Sequence, residues 1–364
     1  MSEIKVNSIK GTGASTAAIT IDSSAGTCTA NITNNLSNRN KVINGGMLVN
    51  QRGNQSSVTT SVYGLDRFKV QEVAAVTYDI NQSTDTPNGF GNSFHIDIQG
   101  ANSSPSASQY LQLITPLEGF DVQDFAKGTS GAKKFIVSFY IKTNVTGNYA
   151  LQITDDNSRS CSQLYTVSDT NWNRYTVIFP ADTTGAIDND NTEGLRLTWH
   201  LLVGSNQTSG TMNTTWAATT TANIAAGQTA NVASSTSNNW YITGVQLEVG
   251  SVATEFEHKS YCEQLAKCQR YYEVHYQSTG TASMYSTGDS TIKFAHTWYY
   301  HVCKRANPTV SLINSGYFNA SGGSALTLTG IFTSKNHVMF YSNSNQFRLL
   351  GSSQVALVQS ESEL

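Results

Sequence analysis

Lys134-Phe-Ile-Val-Ser-Phe-Tyr-Ile141 is the stretch of sequence that decides the fold. β-Branched and aromatic residues fill it almost without a break, and such a run is typical of a strand that is buried on both faces. Other short runs with polar turn residues between them follow along the chain, as in antiparallel sheets. They are Tyr149–Ile153, Trp172–Phe179, Leu195–Val203 and Trp240–Val249. We therefore expect an all-β protein whose central part, residues 41–256, is a two-sheet sandwich.

The last of these runs predicts which side chains point inward. Regular alternation along Trp240–Val249 puts Tyr241, Val245, Leu247 and Val249 largely on one face of the strand. Leu247 then points inward, and its neighbours Gln246 and Glu248 are available to contact neighbouring strands or subunits. We expect a structural role for this segment.

Composition excludes several classes of protein. The chain has 364 residues with 22 Lys and Arg against 25 Asp and Glu, a net charge of −3, which argues against a nucleic-acid partner because duplex binding needs a basic stripe. Ser, Thr and Asn take 118 positions, whereas only 13% of residues are charged, so a helical bundle is excluded. The apolar share of 38% is enough for a core. No apolar run is long enough to predict membrane insertion.

Residues 1–40 form the segment least suited to a core of its own. Ile4, Val6 and Ile9 alternate as a short strand, and polar turn residues follow them. So short a segment buries too little surface to offset its ordering entropy. It is either a flexible lead-in or a strand that docks on another subunit or protein, and we favour docking. No apolar h-region of a secretory signal is visible at its start.

A second unusual segment runs from Gly204 to Asn239 and contains no charged residue. It is rich in Thr, Ala and Asn rather than apolar. We expect a long loop excursion or edge strands, and loops of that length are usually functional or interfacial.

One helix is predicted, over residues 257–275, between the sandwich and a smaller C-terminal β domain at residues 276–364. Ser260 and Glu263 have the spacing of a capping box. Tyr261, Leu265, Cys268 and Tyr272 then recur at helical spacing, which predicts one apolar face. We expect this helix to act as a hinge between two β domains.

Catalytic signatures are missing from the sequence. There is no nucleophile elbow, P-loop or zinc-protease motif, and the five cysteines are scattered. Asp155-Asp156 and the acids Asp188 and Asp190 lie in predicted turns, where solvated Asx-turn residues are the usual finding. Asp188 and Asp190 are weak candidates for a structural Ca²⁺ site. We therefore expect no enzyme activity and no cofactor.

Aromatic residues are concentrated in the C-terminal domain. On one strand, the consecutive residues Trp298, Tyr299 and Tyr300 must present a ring to both faces of a sheet. The face that the domain does not bury either packs on a sister subunit, which we favour, or serves as a platform for sugars. The candidate glycan-binding residues are Trp298, Tyr300, Tyr285, Tyr317 and Tyr341. Together with the apolar leader and the charge-free segment, this surplus of apolar surface predicts a homotrimer.

Two longer motifs connect the chain to a known family. The first is Asn40-Lys-Val-Ile-Asn-Gly-Gly-Met-Leu-Val-Asn-Gln-Arg-Gly53, followed by Tyr63-Gly-Leu-Asp-Arg-Phe68. The second is the strand Trp240–Gly250, followed by Ala253-Thr-Glu-Phe-Glu-His258 and Cys268-Gln-Arg-Tyr-Tyr272. With the leader Glu3–Ile9, they resemble tail-fibre-like, receptor-binding-type structural proteins of tailed bacteriophages, especially cyanophages.

The resemblance implies a central jelly roll like that of carbohydrate-binding modules, a homotrimer, and a leader that attaches to other virion proteins of the tail or capsid through residues 1–40. The function that follows is a non-enzymatic virion adhesin that binds a host surface polysaccharide or receptor. It would be assembled in the host cytoplasm and released by lysis.

Two alternatives remain open. One is a capsid or tail decoration protein without a receptor role, which the sequence barely separates from the adhesin. The other is a polysaccharide depolymerase tailspike, which would need a repetitive β-helix or an acidic cleft, and no internal repeat is visible.

Overall fold

The computed structural model describes residues 6–12, 19–22, 27–30, 37–277, 294–312, 318–319, 330–342, 348–349 and 355–364. Within them the described strand pairs are antiparallel. The strands in chain order are β1 Ser8–Ile9, β2 Ile19–Asp22, β3 Thr27–Ala30, β4 Gln55–Val58, β5 Val62–Tyr63, β6 Lys69–Glu72, β7 Thr77–Ser83, β8 Ser93–Gly100, β9 Tyr110–Glu118, β10 Phe135–Thr143, β11 Gly147–Asp155, β12 Arg159–Val167, β13 Asn173–Phe179, β14 Glu193–Val203, β15 Ala217–Ala218, β16 Asn239–Val249, β17 Tyr272–Gln277, β18 Phe294–Tyr299, β19 Thr309–Leu312, β20 Phe318–Asn319, β21 Gly330–Thr333, β22 His337–Ser342, β23 Arg348–Leu349 and β24 Val355–Glu361. Helix α1 is Tyr261–Gln269, and short 3-10 helices lie at Gly119–Phe125, Ser205–Gln207, Thr221–Asn223 and Val232–Ser234.

Two large sheets pack face to face as a jelly-roll sandwich, so the predicted fold class is confirmed. One sheet has six strands in the order β13-β10-β16-β8-β7-β4, and the other has seven in the order β15-β12-β11-β14-β9-β6-β5. Their inner faces share one apolar core. Phe139 of the first sheet meets Trp199 of the second edge to face, with ring centroids 5.6 Å apart.

The strand that contains the deciding stretch lies inside the six-stranded sheet. Strand β10 pairs with β13 on one side and β16 on the other, and Phe135, Ile136, Val137 and Phe139 are all buried. A strand with two neighbours and two covered faces has no polar side to present, which is why its sequence is a continuous apolar run.

A β-bulge corrects the predicted inward face of β16. Gly244 has a φ of +63°, and the pairing with β10 shifts register between Ser138 and Tyr140. Before the bulge Trp240 and Ile242 point into the core, and after it Val245 and Leu247 do. An extra residue in one strand reverses the alternation, so Tyr241 points outward and the prediction for Tyr241 is wrong.

The Gln246-Leu247-Glu248 segment is satisfied by its own chain. Leu247 is in the core as predicted, whereas Gln246 and Glu248 are buried on the other side of β16. The Glu248 carboxylate accepts hydrogen bonds from the backbone N–H and the hydroxyl of Thr254, at 2.9 and 2.7 Å. The side chain of Gln246 bonds the backbone of Glu255 and Glu257. The connection after β16 thus covers these polar groups.

The charge-free segment 204–239 is a long excursion, as predicted, that folds back on the sandwich. It contributes the buried side chains of Trp216, Ala230, Val232 and Ala233 to the core. Trp216 donates its indole N–H to the carbonyl of Pro180 at 2.9 Å. These apolar residues are covered by their own subunit, so they lend no support to a trimer.

Helix α1 is shorter than the predicted 257–275. Its N-cap is correct, because the Ser260 hydroxyl accepts the backbone N–H of Glu263 at 3.3 Å. The predicted apolar face is wrong at two positions: Tyr261 is exposed, and Tyr272 already belongs to strand β17. The helix ends because the chain turns at Arg270 and Tyr271 to pair with β24.

The C-terminal strands are fixed to the sandwich, so the hinge prediction is wrong. Arg270 forms a two-bonded ion pair with Glu118, both contacts at 2.8 Å. Arg67, which is only 1% exposed, pairs with Glu363 and stacks on Tyr271 with 3.5 Å between the guanidinium carbon and the ring centroid. These buried charged contacts hold three parts of the chain together.

Strands β1–β3 form a small sheet of their own. Ile9 of β1 is 52% exposed and Val6, which precedes β1, is 41% exposed, whereas Ile4 lies outside the described residues. Within the described part of the chain, no helix is long and apolar enough to cross a membrane.

Candidate functional site

The outer face of the six-stranded sheet carries a row of polar and aromatic side chains across four strands. Cross-strand pairing places Lys142 of β10 beside Tyr241 of β16, Tyr241 beside His95 of β8, and His95 beside Asn81 of β7. Their chain neighbours Ile141, Ile242 and Ile96 are buried in the core, so the row faces outward.

Three rings form an aromatic cluster in this row, which we call the platform: His95, Tyr241 and Trp172. The imidazole of His95 lies parallel to the Tyr241 ring, with 4.1 Å between centroids and 4° between planes. Trp172, from the loop before β13, meets the edge of Tyr241 at 6.1 Å. All three side chains are half-buried. They are therefore held in place and still accessible.

A charged rim borders the platform. Asp85, in the loop between β7 and β8, accepts the Trp172 indole N–H at 2.9 Å and the Lys142 ammonium at 2.6 Å. The hydrogen bond from Lys142 lowers the pKa of Asp85, with a further contribution from Trp172, so this carboxylate is charged at neutral pH.

A hydrogen bond orients the His95 ring, and burial affects the Tyr241 phenol. The Nε2 atom of His95 lies 2.6 Å from the side-chain oxygen of Asn239. Burial raises the pKa of Tyr241, with a smaller effect of Asp85, so its phenol remains a hydrogen-bond donor. The arrangement offers an apolar ring surface bordered by a carboxylate, an ammonium and a hydroxyl.

Sequence reasoning missed this platform. The bulge at Gly244 hid the outward direction of Tyr241, and the contacts of Trp172 with Asp85 span 87 residues. One available signal was the alternation in β8, where Phe94, Ile96 and Ile98 are buried and His95 and Asp97 lie between them. That pattern predicts an outward histidine on a central strand.

Of the predicted glycan-binding residues, Trp298 and Tyr300 both lie beside His275, each with its ring centroid 5.6 Å from the imidazole, but they do not form an open platform. Trp298 is half-buried, with its ring 5.6 Å from His275 and 5.2 Å from Phe340. Tyr300 is buried, and its hydroxyl accepts the hydroxyl of Ser360 at 3.3 Å. Because its ring faces the Lys304 ammonium rather than solvent, we remove Tyr300 from the candidates.

The other three predicted tyrosines give no further information. Tyr285 and Tyr317 lie outside the described residues, and Tyr341 lies on β22 with a side chain that is also outside them. Tyr299, the neighbour of Trp298, is 75% exposed.

The weak calcium candidates, Asp188 and Asp190, lie in a hydrogen-bonded turn. The Asp190 carboxylate accepts the backbone N–H and the hydroxyl of Thr192, at 2.8 and 2.7 Å, as in an Asx turn. The backbone N–H of Asp188 donates to Asp156. Among the described residues no three His, Cys, Asp or Glu side chains are placed to hold a metal ion. The structure gives no support to a cation site at Asp188 and Asp190, and the turn interpretation explains the contacts of Asp190.

No protein-family model matches the sequence, and no curated protein does. Among solved structures, the chain is similar to the enzymatically active domain of bacteriophage CBA120 tailspike protein 4, at 12% identity and a TM-score of 0.32, over 60% of this chain and 24% of that one. It spans about a quarter of that structure.

Two carbohydrate-binding modules are also similar. TmCBM61 in complex with β-1,4-galactotriose has 11% identity and a TM-score of 0.30, over 58% of this chain and 99% of that one. The family 11 module of the Clostridium thermocellum cellulase Lic26A-Cel5E has 12% identity and a TM-score of 0.28, over 57% and 98%. Scores of this size support no assignment of function.

Proposed function

We propose that this chain is a non-enzymatic, glycan-binding structural protein of a virion, an adhesin whose sandwich binds a sugar on the platform of His95, Tyr241 and Trp172. The observation that carries the proposal is the pair of parallel rings, His95 and Tyr241, stacked at 4.1 Å on an open sheet face with charged groups at its border.

The physical argument starts from the surface of a pyranose. One face of such a ring presents C–H groups, and its edge presents hydroxyls. The ring surfaces that the His95–Tyr241 stack leaves uncovered can cover the C–H face. Asp85 can accept hydroxyl hydrogen bonds, whereas Lys142 and the Tyr241 phenol can donate them. A few fixed polar groups around an apolar surface are what small-ligand sites use for orientation.

The virion part of the proposal rests on the leader and on its resemblance to phage attachment segments. Val6 and Ile9 are exposed although they belong to strand-forming sequence. Docking of residues 1–40 on another protein of the tail or capsid would bury them. The virion location and the adhesin role are inferences from these features together.

A homotrimer is the assembly that we propose. Tyr299 of β18 and Phe332 of β21 are exposed on the same side of the sheet β18-β22-β21, because Thr297 pairs with Met339 and Met339 with Phe332. An exposed apolar face of this kind fits a contact with a sister subunit. We include no catalytic step, since the Asp155 carboxylate of the predicted Asp155-Asp156 pair is buried in an ion pair with Lys127.

The proposal is tested with the full-length chain on an array of bacterial surface glycans, and the best-binding glycan is then titrated by calorimetry. We expect Tyr241→Ala to weaken binding about tenfold or more, because it removes a stacking surface. Tyr261→Ala is the matched control, since it deletes an exposed tyrosine ring on α1.

Two outcomes would contradict the proposal. One is that no glycan binds to the wild-type chain. The other is that Tyr241→Ala and Tyr261→Ala bind the glycan equally well while both remain folded by circular dichroism. A third variant, Trp298→Ala, separates the platform from the predicted C-terminal candidates, because the platform proposal expects its affinity to be that of the wild type.

A further inference from the structure

A cleft of about 460 Å³ lies where the sandwich meets the C-terminal strands. Its walls come from Arg52, Tyr63 and Lys69 on the sandwich side and from Tyr272, Gln359 and Glu361 on the other. The volume is within the range of about 300–1,000 Å³ that is common for ligand sites. This cleft is separate from the platform, because none of its lining residues belongs to the six-stranded sheet except Gln55 of β4 at the sheet edge.

Arg52 has hydrogen-bonding capacity that the protein does not use. Its side chain is 10% exposed, and its Nη2 atom lies 3.2 Å from Glu363 and 3.7 Å from Glu361. The guanidinium carbon is 3.7 Å from the centroid of the Tyr272 ring, so its position is fixed. The Nη1 atom is buried and has no hydrogen-bond partner among the described residues. A buried donor without an acceptor is unfavourable, and a ligand that accepts from it would remove that cost.

Lys69 adds a second cation at the same cleft. It pairs across the strands with Tyr63, and its ammonium lies 5.3 Å from the centroid of that ring. The guanidinium carbon of Arg52 lies 5.1 Å from the same ring. Within the described part of the chain, no carboxylate is recorded at ion-pair distance from Lys69. Two cations therefore meet on one tyrosine, and one of them lacks an acidic partner.

The opposite wall carries groups that bind hydroxyls. Gln359 accepts the Tyr272 hydroxyl at 3.0 Å through its side-chain oxygen, which leaves its amide N–H groups to donate. The Glu361 carboxylate is 42% exposed and can accept hydroxyl hydrogen bonds. A ligand that fits the whole cleft thus has an anionic group toward Arg52 and Lys69 and hydroxyls toward Gln359 and Glu361.

We propose that this cleft binds an acidic sugar, a hexuronate unit of a polysaccharide, whose carboxylate accepts hydrogen bonds from Arg52 and Lys69. Charge-assisted hydrogen bonds from an arginine and a lysine are the strong contacts of such a complex. The inference extends the proposed glycan binding to a second site and a defined sugar class, and it does not depend on the platform.

The test is calorimetric titration of the full-length chain with trigalacturonate, with neutral galactotriose and acetate as comparison ligands. We expect Lys69→Gln to weaken trigalacturonate binding about tenfold, the effect of one hydrogen bond to a charged group. Lys133→Gln, the same change at an exposed lysine, is the matched control and leaves the affinity unchanged.

The following results would overturn the proposal. Absence of trigalacturonate binding does so, as does equal binding by Lys69→Gln and Lys133→Gln. Acetate that binds as tightly as trigalacturonate would show a simple anion site instead. Tyr241→Ala should bind trigalacturonate normally. If no glycan binds at the platform but Lys69→Gln still weakens trigalacturonate binding, the proposed function is refuted and the present inference is not.

Discussion

Substitution of Arg67 by Met is expected to be strongly destabilising, because it breaks the charged contact that joins the C-terminal strands to the sandwich. The Arg67 side chain pairs with the buried carboxylate of Glu363 and donates to the carbonyl of Pro116 at 2.6 Å. The variant leaves both acceptors inside the protein without this donor. Removal of one partner of a buried ion pair costs about 3–5 kcal/mol.

The lower end of that range is the expected value here. Arg52 also lies 3.2 Å from Glu363 and retains part of the compensation after Arg67 is removed. We therefore expect Arg67→Met to lower the free energy of unfolding by about 3 kcal/mol. At about 2–4 °C per kcal/mol for a unit of this size, Tm falls by about 6–12 °C.

The assay is urea unfolding followed by circular dichroism, together with calorimetry for Tm. Arg196→Met is the matched control, since Arg196 pairs with Glu193 at 2.8 Å on the surface and such a pair contributes at most about 1 kcal/mol. If Arg67→Met lies within 0.5 kcal/mol (roughly the error of such a comparison) of Arg196→Met, the junction does not hold the two parts together as described.

Three further predictions concern pH, backbone and assembly. Burial lowers the pKa of His200 to about 4. Below about pH 6.5 the unfolded chain therefore binds a proton at this histidine that the folded chain binds only near pH 4. The free energy of unfolding should fall by roughly 3 kcal/mol between pH 6.5 and 4, and His200→Gln should lack this loss when unfolded in urea. Equal pH dependence of the wild type and His200→Gln would disprove this assignment. Gly244→Ala should lower the free energy of unfolding by about 1–2 kcal/mol in the same assay, since its Cβ would lie 2.7 Å from Phe90 at a positive φ. An unchanged unfolding midpoint would show that the bulge does not require glycine at this position. Sedimentation of the full-length chain should give a trimer, and Tyr299→Ser with Phe332→Ser should give monomers; a wild-type monomer contradicts the assembly.

Local patterns in the sequence predict the strands of the sandwich and the start of the helix. The apolar run at β10 is visible because a strand with two covered faces leaves no room for polar residues. The cap at Ser260 is visible because it needs only residues three positions apart. Both are decided by near neighbours in the chain.

The junction and the platform could not be predicted in the same way. Arg67 and Glu363 are 296 positions apart, and a charged residue gives no sign of its distant partner. Strict alternation assigned Tyr241 to the core because it extended the phase of Val245 and Leu247 back across Gly244, the bulge residue at which the inward positions shift by one. The need for Gly45 in the motif Asn44-Gly45-Gly46 could not be predicted either. A Cβ on Gly45 would lie 2.0 Å from the carbonyl oxygen of Val245, a contact between two distant parts of the chain.

The most direct measurement of the central claim is a crystal structure of the full-length chain with the best-binding oligosaccharide from the array. We expect a sugar ring packed on the Tyr241 and His95 rings, with a hydroxyl within hydrogen-bond distance of Asp85. An oligosaccharide bound at the Trp298 end of the molecule, with the platform open to solvent, would contradict the account.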